Sequence, residues 1–546
     1  MATNYASHVA NSKKAVKKAD KVQPVHGRDG DVPQTVVTEG KVRNSAGGAS
    51  FEASALTKLE RFIILGAEGG TFYSGERALT IAAAKNVAEM IEKNGVEVVR
   101  IVSEISDAGR AIKNNPAIFV LALCAASKDQ AVVKAAFDAL PKVCRTGTHL
   151  FTFAEYVDSL RGWGKSLKNG IANWYNSQEL DKLAYGAIKY QQRNGWSHRD
   201  LFRLSHTKAE DTSRNALYRW IVRREKTDGV DLPGIVAAYE KVQADKTVKS
   251  AIQGITEFNL SFEMLPTELL KEQKIWEALL PKMGLTAMLR NLGKMSSIGM
   301  LGDLSDSAKL VVSRLSDAAA LKKARVHPVS IMCALRIYAQ GHGDKGTLTW
   351  KTNERIVDAL NDAFYKTFEY VEPTGKNFLL AVDCSGSMFG QQVVGAAGMD
   401  AATGAALMAM TVARTEKNFV IVGYGHRNVG KLPISPNMTL EAIMKTMRGF
   451  NWGGTDCALP FKYADENKLQ IDVFGNFTDN EVWAGPTSVD TALNRYRNKY
   501  VENAKMFVAG MCVNDFTIAN PADPLQMDVV GFDTSMPAAV GAFAKL

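Results

Sequence analysis

The chain contains 546 residues, with 66 Lys and Arg against 57 Asp and Glu, and a formal net charge of +9. This length exceeds one ordinary hydrophobic core and predicts two or three domains, and the composition excludes a collagen-like or wholly disordered chain. The longest apolar run, residues 117–126, is shorter than the roughly 20 residues that a membrane helix needs, so no membrane partner is expected.

The cysteines and the N-terminal residues indicate the cellular compartment in which the protein is expected. The chain has six scattered cysteines without a CxxC pair, which favours neither a disulfide framework nor a zinc ribbon. The N-terminus carries charges without an apolar core behind them, so it does not read as a secretory signal. A reducing compartment follows, and we expect the protein in the cytoplasm.

The basic charge lies in the first two-thirds of the chain. From Thr374 onward there are 14 basic and 16 acidic residues, so residues 1–373 hold 52 basic and 41 acidic ones. A polyanion is the natural partner of such a basic region, and nucleic acid is the leading candidate. Many basic domains, however, are merely soluble.

Three segments follow one another along the chain. Residues 1–50 are rich in Lys, Ser, Gly, Asn and Val without clear periodicity, which predicts a basic, extended or flexible arm. Residues 51–373 show successive amphipathic helices with short loops. The first places Leu56, Leu59 and Phe62 on one face and ends at Gly66. Such a series predicts a stacked array of helical pairs of the HEAT type, although no sharp repeat is visible.

Within this region, residues 187–206 form the candidate binding surface. The sequence predicts a helix that ends at Asn194–Gly195 and a second helix capped by Ser197, with Asp200 completing a capping box. Cationic side chains would then line two adjacent helix faces, and the candidate RNA-binding residues are Lys189, Arg193, Arg199, Arg203 and His206. Phosphate contacts need this arrangement, but a solvated helix face has the same spacing.

Other side chains of this region have simpler interpretations. The helical spacing places Leu201, Phe202 and Leu204 opposite the cationic face. His198 is expected to form a local hydrogen bond rather than to bind a ligand. Arg219, Arg223 and Arg224 add to the local basic density. The four tryptophans of the region fit a core better than a stacking platform, and these are Trp163, Trp174, Trp196 and Trp220.

From residue 374 to 546 the pattern changes to short apolar strands that alternate with helices. The predicted strands are residues 378–382, 419–424, 471–478, 506–512 and 528–532. Such alternation is typical of an open, doubly wound α/β sheet. Ligands bind such sheets in the loops at the carboxyl ends of the strands.

Those loops carry a set of hard oxygen ligands. Asp383, Ser385 and Ser387 follow the first strand at alternate positions, Thr455 follows two glycines, and Asp479 follows a third strand. Two carboxylates and three hydroxyls suit Mg²⁺ or a similar divalent cation. The first three residues alone would equally fit a helix N-cap.

This set resembles the von Willebrand factor A domain and its metal-ion-dependent adhesion site. The resemblance implies that the five residues coordinate the ion and that a carboxylate from a partner completes its shell. The sequence contains no GxSxG elbow, second metal cluster or P-loop. A binding site is therefore favoured over an enzyme.

A longer resemblance covers the chain from about residue 41 to the C-terminus. The segments that carry it are residues 59–80, 148–157, 187–206, 285–295, 323–335, 364–388 and 453–460. Together they resemble the Ro ribonucleoprotein autoantigen family, which contains the TROVE module, and most closely its bacterial members. The resemblance implies a ring of HEAT-like helical pairs closed by the metal-site domain.

The resemblance also implies a function. Family members bind small structured non-coding RNAs, called Y RNAs, on an outer basic surface. They accept the single-stranded 3′ ends of misfolded RNAs in a central hole. They serve in RNA quality control, and bacterial members can act with a 3′→5′ exoribonuclease. The Y RNA contacts of the family map onto Lys189, Arg193 and His206 in this sequence.

Three functions remain open at this point. The leading one is a non-catalytic RNA-binding ring protein. The second is a protein-interaction adaptor that works through the metal-site domain. A metal-dependent nuclease is the third, but phosphodiester cleavage by two metals needs more carboxylates than the sequence brings together.

Overall fold

The protein consists of a helical region followed by an α/β domain, in a computed structural model that describes residues 31–368, 371–396 and 398–546. Elements are numbered in chain order within these residues. No helix among them is both long and apolar enough to cross a membrane.

The helical region extends from residue 55 to 366. Its first helices, α1 to α9, are Ala55–Leu65, Glu76–Ala108, Asn115–Ala125, Gln130–Val143, Gly147–Arg161, Lys165–Asn176, Leu180–Lys189, His198–Ser205 and Thr212–Arg223. The remaining ones, α10 to α17, are Gly234–Asp245, Val248–Phe258, Gln273–Leu279, Leu285–Ser297, Asp306–Ser316, Ala318–Lys323, Pro328–Ala339 and Glu354–Lys366.

These helices form where an apolar stripe follows a capping residue. Ser54 accepts a hydrogen bond from the Thr57 N–H at the start of α1, and Thr247 accepts one from Ser250 at the start of α11. The apolar faces then bury one another in neighbouring pairs, such as α10 with α11 and α16 with α17. The predicted array of helical pairs is confirmed.

The array closes on the α/β domain. At its first end, Arg61 of α1 donates to both carboxylate oxygens of Asp528 at 2.8 Å and is itself fully buried. At its last end, Asn361 of α17 accepts a hydrogen bond from the Leu440 N–H at 2.8 Å. Because both ends contact the α/β domain, the helices and this domain form a ring, as expected.

The α/β domain is built on a six-stranded sheet. Its strands are β5 (Asn377–Asp383), β6 (Asn418–Tyr424), β7 (Val429–Lys431), β8 (Val473–Thr478), β9 (Lys505–Gly510) and β11 (Gln526–Val530), in the order β11-β9-β8-β5-β6-β7. All neighbouring pairs are parallel except β6 and β7. Each of the five predicted strands matches an observed one. The short antiparallel edge strand β7 was not predicted from the sequence.

Helices pack around this sheet. They are α18 (Gly386–Gly390), α19 (Ala401–Ala413), α20 (Leu440–Met447), α21 (Leu459–Glu466), α22 (Val489–Lys499) and α23 (Met536–Lys545). Every residue of α19 is buried, because this helix contacts β5 and β8 of the sheet on one side and further helices on the other.

The segment before α1 belongs structurally to the α/β domain. Strands β1 (Lys41–Arg43) and β2 (Ala49–Glu52) form a hairpin, and β2 pairs with β10 (Phe516–Thr517). The predicted arm, expected to be extended or flexible, is extended here, and these pairings hold residues 41–43 and 49–52 in strands. Residues 1–30 of the predicted arm lie outside the described residues.

Candidate metal centre and basic helical surface

The five predicted metal ligands lie at the carboxyl ends of neighbouring strands. Asp383 is the last residue of β5, Ser385 and Ser387 begin α18, and Asp479 follows β8, which pairs with β5. Thr455 lies in the loop before α21. All five side chains are buried, at 5% exposure or less. The sheet thus brings together loops that are up to 96 residues apart in the chain.

Hydrogen bonds orient this centre. Thr478 donates to Oδ2 of Asp383 at 2.6 Å, and the Ser385 N–H donates to Oδ1 at 2.9 Å. The hydroxyls of Ser385 and Ser387 are 3.2 Å apart. In contrast, Oγ1 of Thr455 and Oδ2 of Asp479 are buried without a hydrogen-bond partner among the residues that the structure describes. Buried polar atoms of this kind call for a ligand.

The electrostatics of the centre also favour a cation. Burial raises the pKa of Asp383 to about 7, and the charge of Asp479 adds to the rise. Burial raises the pKa of Asp479 as well. Two carboxylates in one buried site disfavour their charged forms, and a bound divalent cation would reverse this effect.

The donor set fits a hard divalent ion such as Mg²⁺. Within the described residues, no group of three or more His, Cys, Asp or Glu side chains is placed to hold a metal. A cation bound here therefore depends on the three hydroxyl oxygens together with the two carboxylates, a combination of oxygens that suits Mg²⁺.

The basic surface differs from its prediction at the first turn. Helix α7 ends at Lys189, and residues 192–197 form a hairpin of β3 (Gln192–Arg193) and β4 (Trp196–Ser197). Lys189 and Arg193 therefore do not share a helix face, and the predicted helix end at Asn194–Gly195 is wrong. Both turn residues have positive φ, 52° and 79°, which is the geometry of a type I′ hairpin turn.

The second helix of this surface agrees with its prediction in most respects. Helix α8 begins with a complete capping box of Ser197 and Asp200. Arg199 and Arg203 lie exposed on it, and His206 is exposed at its C-cap. Leu201 and Phe202 are buried as expected, whereas Leu204 is 37% exposed, which corrects its placement on the apolar face.

The five cationic candidates are not equivalent. Lys189 is half-buried, 3.5 Å from a carboxylate oxygen of Glu263, and lies over the rings of Tyr185 and Tyr190. Arg193, Arg199 and Arg203 are exposed, and within the described residues none has an acidic side chain within salt-bridge distance. The three arginines are therefore free to meet an anion.

The structure also tests the predictions for His198 and the four tryptophans of this region. His198 is buried and bonds through Nδ1 to the Tyr175 hydroxyl at 2.7 Å, so its local role is confirmed. Burial lowers the pKa of His198 to about 4. Trp174 and Trp220 are core residues as expected, while Trp163 and Trp196 are partly buried and pack on each other.

The additional arginines are partly engaged. Arg219 and Arg223 are each within 3.7 Å of Glu225, at 3.5 and 3.7 Å. The Arg224 guanidinium lies 4.0 Å from the centre of the Trp220 ring. The guanidinium groups of Arg219, Arg223 and Arg224 therefore already have partners within the protein.

Comparison with known families shows the family to which this chain belongs. The family model for the TROVE domain matches residues 42–257 and 237–337, and the model for the Ro60 vWA domain matches residues 377–544. This chain belongs to the Ro family. It is 38% identical over 523 residues to the RNA-binding protein RO60 of Deinococcus radiodurans, covering 94% of this chain and 97% of that protein.

Other relatives agree with this assignment. The RNA-binding protein RO60 of Caenorhabditis elegans is 33% identical over 586 residues, which cover 93% of this chain and 90% of the relative. The crystal structure of the Deinococcus radiodurans RO (RSR) protein matches with a TM-score of 0.68 and 38% identity, over 90% of this chain and 99% of that one. The expectation of a bacterial-type Ro protein is confirmed.

In this Ro-family chain, the segment before α1 supports the candidate metal centre, and this support was not predicted from the sequence. Asn44 donates to the Val482 carbonyl at 2.6 Å, and the Ala46 N–H donates to Glu481 at 3.2 Å. A Cβ on Gly48 would lie 1.8 Å from the same Val482 carbonyl. The loop that begins with Asp479 is therefore held by residues more than 400 positions earlier, and no local sequence signal marks this contact.

A loop of the helical region reaches the centre from another side. The Phe72 ring lies against Gly390, and the Phe72 N–H donates to Oε1 of Gln391 at 3.3 Å. The neighbouring Tyr73 has a pKa raised to about 12, first by burial and then by the charge of Asp479, while a hydrogen bond with Ser387 opposes the rise. Tyr73 is thus a neighbour of the predicted metal ligands, and only the tertiary structure reveals it.

Proposed function

We propose that this chain is a non-catalytic RNA-binding protein whose helical ring carries the RNA. One observation carries the proposal. Arg193, Arg199 and Arg203 are exposed on one hairpin and the helix that follows it, without acidic partners in the described part of the chain. Guanidinium groups in this state contact phosphate without first breaking an ion pair. The names of the two RO60 relatives support the same class of partner.

The RNA is proposed to be a small structured non-coding RNA of the Y RNA type. Its phosphates would contact Arg193, Arg199 and Arg203, and His206 at the end of α8 would add a hydrogen bond or stack on a base. Lys189 contributes less, because Glu263 already neutralises part of its charge. The Ro-family assignment supports this choice of RNA.

Two further roles follow from the family. We propose that single-stranded 3′ ends of misfolded RNAs enter the ring, and that the protein acts in RNA quality control with a 3′→5′ exoribonuclease as a partner. We also propose a cytoplasmic location. The six cysteines support it, since all are free thiols and five of them are buried. Cell fractionation tests the location directly.

For the metal centre we propose a bound Mg²⁺ or similar divalent cation. Asp383, Ser385, Ser387, Thr455 and Asp479 would hold it. When bound, the ion supplies a coordination position for an anionic oxygen of a partner. The ligand set contains two carboxylates and three hydroxyls, whereas two-metal cleavage of phosphodiesters relies on clustered carboxylates, which supports a binding role.

The adaptor function is the second candidate, and the metal centre is the observation that favours it. Its Thr455 Oγ1 and Asp479 Oδ2 atoms, which lack a hydrogen-bond partner in the described part of the chain, suit an ion that receives a carboxylate from another protein. If the adaptor alone describes this chain, removal of the exposed arginines will leave the affinity for RNA unchanged.

The deciding experiment is equilibrium binding of a stem-loop RNA with a single-stranded 3′ tail. The triple variant Arg193→Ala, Arg199→Ala, Arg203→Ala is compared with the wild type. A charge-matched control removes Lys134, Lys309 and Lys351, each exposed and each next to an acidic residue.

We expect the triple arginine variant to lose about tenfold or more in affinity, which is about 1.4 kcal/mol or more. The lysine control should stay close to the wild type. Equal losses in the two variants would mean that only net charge matters, and the assignment of this surface would be wrong. RNA degradation by the purified protein, abolished by Asp383→Ala, would contradict the non-catalytic assignment.

A further inference from the structure

A loop of the helical region lies against the candidate metal centre. Residues 66–75, called the gate loop below, connect α1 with α2 and contact the α/β domain through Phe72 and Tyr73. All five candidate ligands belong to the α/β domain. A side chain of the gate loop therefore reaches the centre from outside the domain that supplies the ligands, as a side chain of a partner would.

Tyr73 is the residue of the gate loop that meets the candidate ligands. Its hydroxyl interacts with the side chain of Ser387. The carboxylates of Asp479 and Asp383 are close enough to act on the same phenol through their charge. The Tyr73 ring is half-buried and packs edge-on against the Phe72 ring, with centroids 5.0 Å apart. The Tyr73 hydroxyl is thus an oxygen from outside the α/β domain that occupies space beside ligands from two of its loops.

Phe72 attaches the gate loop to the α/β domain. Its ring lies so close to Gly390, at the end of α18, that an added Cβ there would be 2.6 Å from the ring. Its N–H donates to Oε1 of Gln391 at 3.3 Å. The Phe72 side chain nevertheless remains 56% exposed. The attachment consists of one partly buried ring and one hydrogen bond, and each of these contributes only modestly to stability.

Two acidic residues hold the gate loop on its other side. Glu76 accepts a hydrogen bond from the Gly69 N–H at 3.0 Å, and Glu68 forms an ion pair with Lys113. Exposed ion pairs of this kind add little to stability. Because both carboxylates are exposed on or next to the gate loop, they also oppose the approach of an anionic partner while the loop is in this position.

The helix that follows the gate loop is divided by a kink. Asn94 has φ −160° and ψ 73° within α2, and its side chain accepts from the Glu97 N–H at 3.3 Å, as an N-cap residue does. Within residues 76–93, Val87 is the single buried residue. A segment with so few buried contacts opens locally at a low free-energy cost. The gate loop and the first half of α2 can therefore move while the second half of α2 stays packed.

We propose that the gate loop regulates access to the candidate metal centre, with Tyr73 covering the side on which an oxygen of a partner would reach the cation. A carboxylate then binds only when the loop has moved away, so the closed loop keeps the ion from anions that lack further contacts with the protein. This inference rests on the proposed cation site and adds its regulation by the helical region.

The probes are Mn²⁺, a paramagnetic ion that takes the same oxygen ligands as Mg²⁺, and acetate as a simple carboxylate. Water-proton relaxation of the Mn²⁺-loaded full chain reports the water that exchanges on the ion, and an acetate titration reports its displacement. Two variants open the gate loop in different ways. Tyr73→Ala removes the phenol, and Gly390→Ala displaces the Phe72 ring without changing a candidate ligand. The control is Tyr239→Ala, which removes a half-buried tyrosine of α10.

We expect both gate variants to show higher water-proton relaxation than the wild type and to bind acetate about five- to tenfold more tightly. An open fraction of about one-fifth to one-tenth in the wild type lowers the apparent affinity by that factor. The Mn²⁺ affinity should stay within about twofold of the wild type, because all five candidate ligands are retained. The Tyr239 control should match the wild type, and unchanged thermal unfolding shows that each variant is folded.

Two outcomes overturn the gate while leaving the cation site in place. One is equal relaxation and equal acetate affinity in the wild type and both gate variants. The other is a large loss of Mn²⁺ affinity in Tyr73→Ala without tighter acetate binding, because Tyr73 would then support the ligands instead of covering them. Absence of Mn²⁺ binding in the wild type and in every variant would contradict the proposed cation site itself, so the two failures are distinguishable.

Discussion

The salt dependence of RNA binding is a quantitative test of the exposed arginines. Each phosphate contact made by a cation releases counterions, so the logarithm of the binding constant falls with the logarithm of the salt concentration by about 0.7 to 0.9 per contact. Arg193, Arg199 and Arg203 have no acidic partners in the described part of the chain and can each make one such contact. Together they should contribute about 2 to 3 to the slope.

This contribution has a measurable size. Between 50 and 200 mM salt, three contacts correspond to a fall in affinity of about 20- to 40-fold. Fluorescence anisotropy with a tailed stem-loop RNA at four salt concentrations gives the slope for the wild type and for the three single alanine variants. Each single variant should lower the slope by slightly less than one, and Lys189→Ala should lower it less, because Glu263 already pairs with that lysine.

Two results would contradict these phosphate contacts. If the arginine variants lose affinity but keep the wild-type slope, the side chains do not contact phosphate. If Lys189→Ala has the largest effect on the slope, the ion pair with Glu263 does not limit its role.

Three further predictions concern the metal centre and the ring. Because the pKa of Asp383 is raised to about 7, protons compete with the cation below that pH; Mg²⁺ affinity measured by calorimetry should fall as the pH is lowered from 8 to 6, and a pH-independent affinity would contradict the raised pKa. Replacing Gly48 by Ala forces a Cβ against the Val482 carbonyl. The Mg²⁺ affinity of this variant should therefore drop severalfold, while its circular dichroism spectrum stays unchanged. A wild-type Mg²⁺ affinity would show that this contact does not position the loop that begins with Asp479. Arg61→Met removes a fully buried guanidinium that donates to Asn514, Phe516 and Asp528, so denaturant unfolding should show a loss of about 3 to 5 kcal/mol. A change below about 1 kcal/mol would contradict a stabilising role of these contacts between α1 and the α/β domain.

Much of the α/β domain was predictable because its strands are short, apolar and separated by helices. The run that ends at Asp383 is buried on both faces. The alternating hydroxyls that follow it were sufficient to predict three candidate ligands at one edge of the sheet. The sheet order then brought Asp479 to the same edge. Local patterns were adequate for Asp383, Ser385, Ser387 and Asp479, which lie at or just after a strand that the sequence marks clearly. Thr455 instead lies in the loop between α20 and α21.

The hairpin before α8 shows where the local interpretation failed. The helical pattern before Asn194 and Gly195 predicts a helix end there, although an Asn-Gly pair is also the strongest short signal for a type I′ hairpin. The polar residues on both sides gave no alternation to favour the strands. This signal was present in the sequence, and weighing it would have placed Arg193 on a strand.

The contacts that support the candidate metal centre could not be predicted from the sequence for another reason. The contacts of Asn44 with Val482 and of Phe72 with Gln391 join residues 438 and 319 positions apart. The segments around Asn44 and Phe72 have the sequences of ordinary loops. Their role in supporting the candidate metal centre comes from the distant residues that they contact, which a local sequence pattern does not show. Such contacts are recognised only from the tertiary structure.

The central claim is that RNA lies on the hairpin and on helix α8. Its most direct test is photo-crosslinking of a 4-thiouridine stem-loop RNA to the full chain, followed by mass spectrometry of the crosslinked peptides. The account predicts crosslinks within residues 190–206, lost when Arg193, Arg199 and Arg203 are replaced by alanine. Crosslinks confined to the α/β domain, or unchanged in that variant, would contradict it.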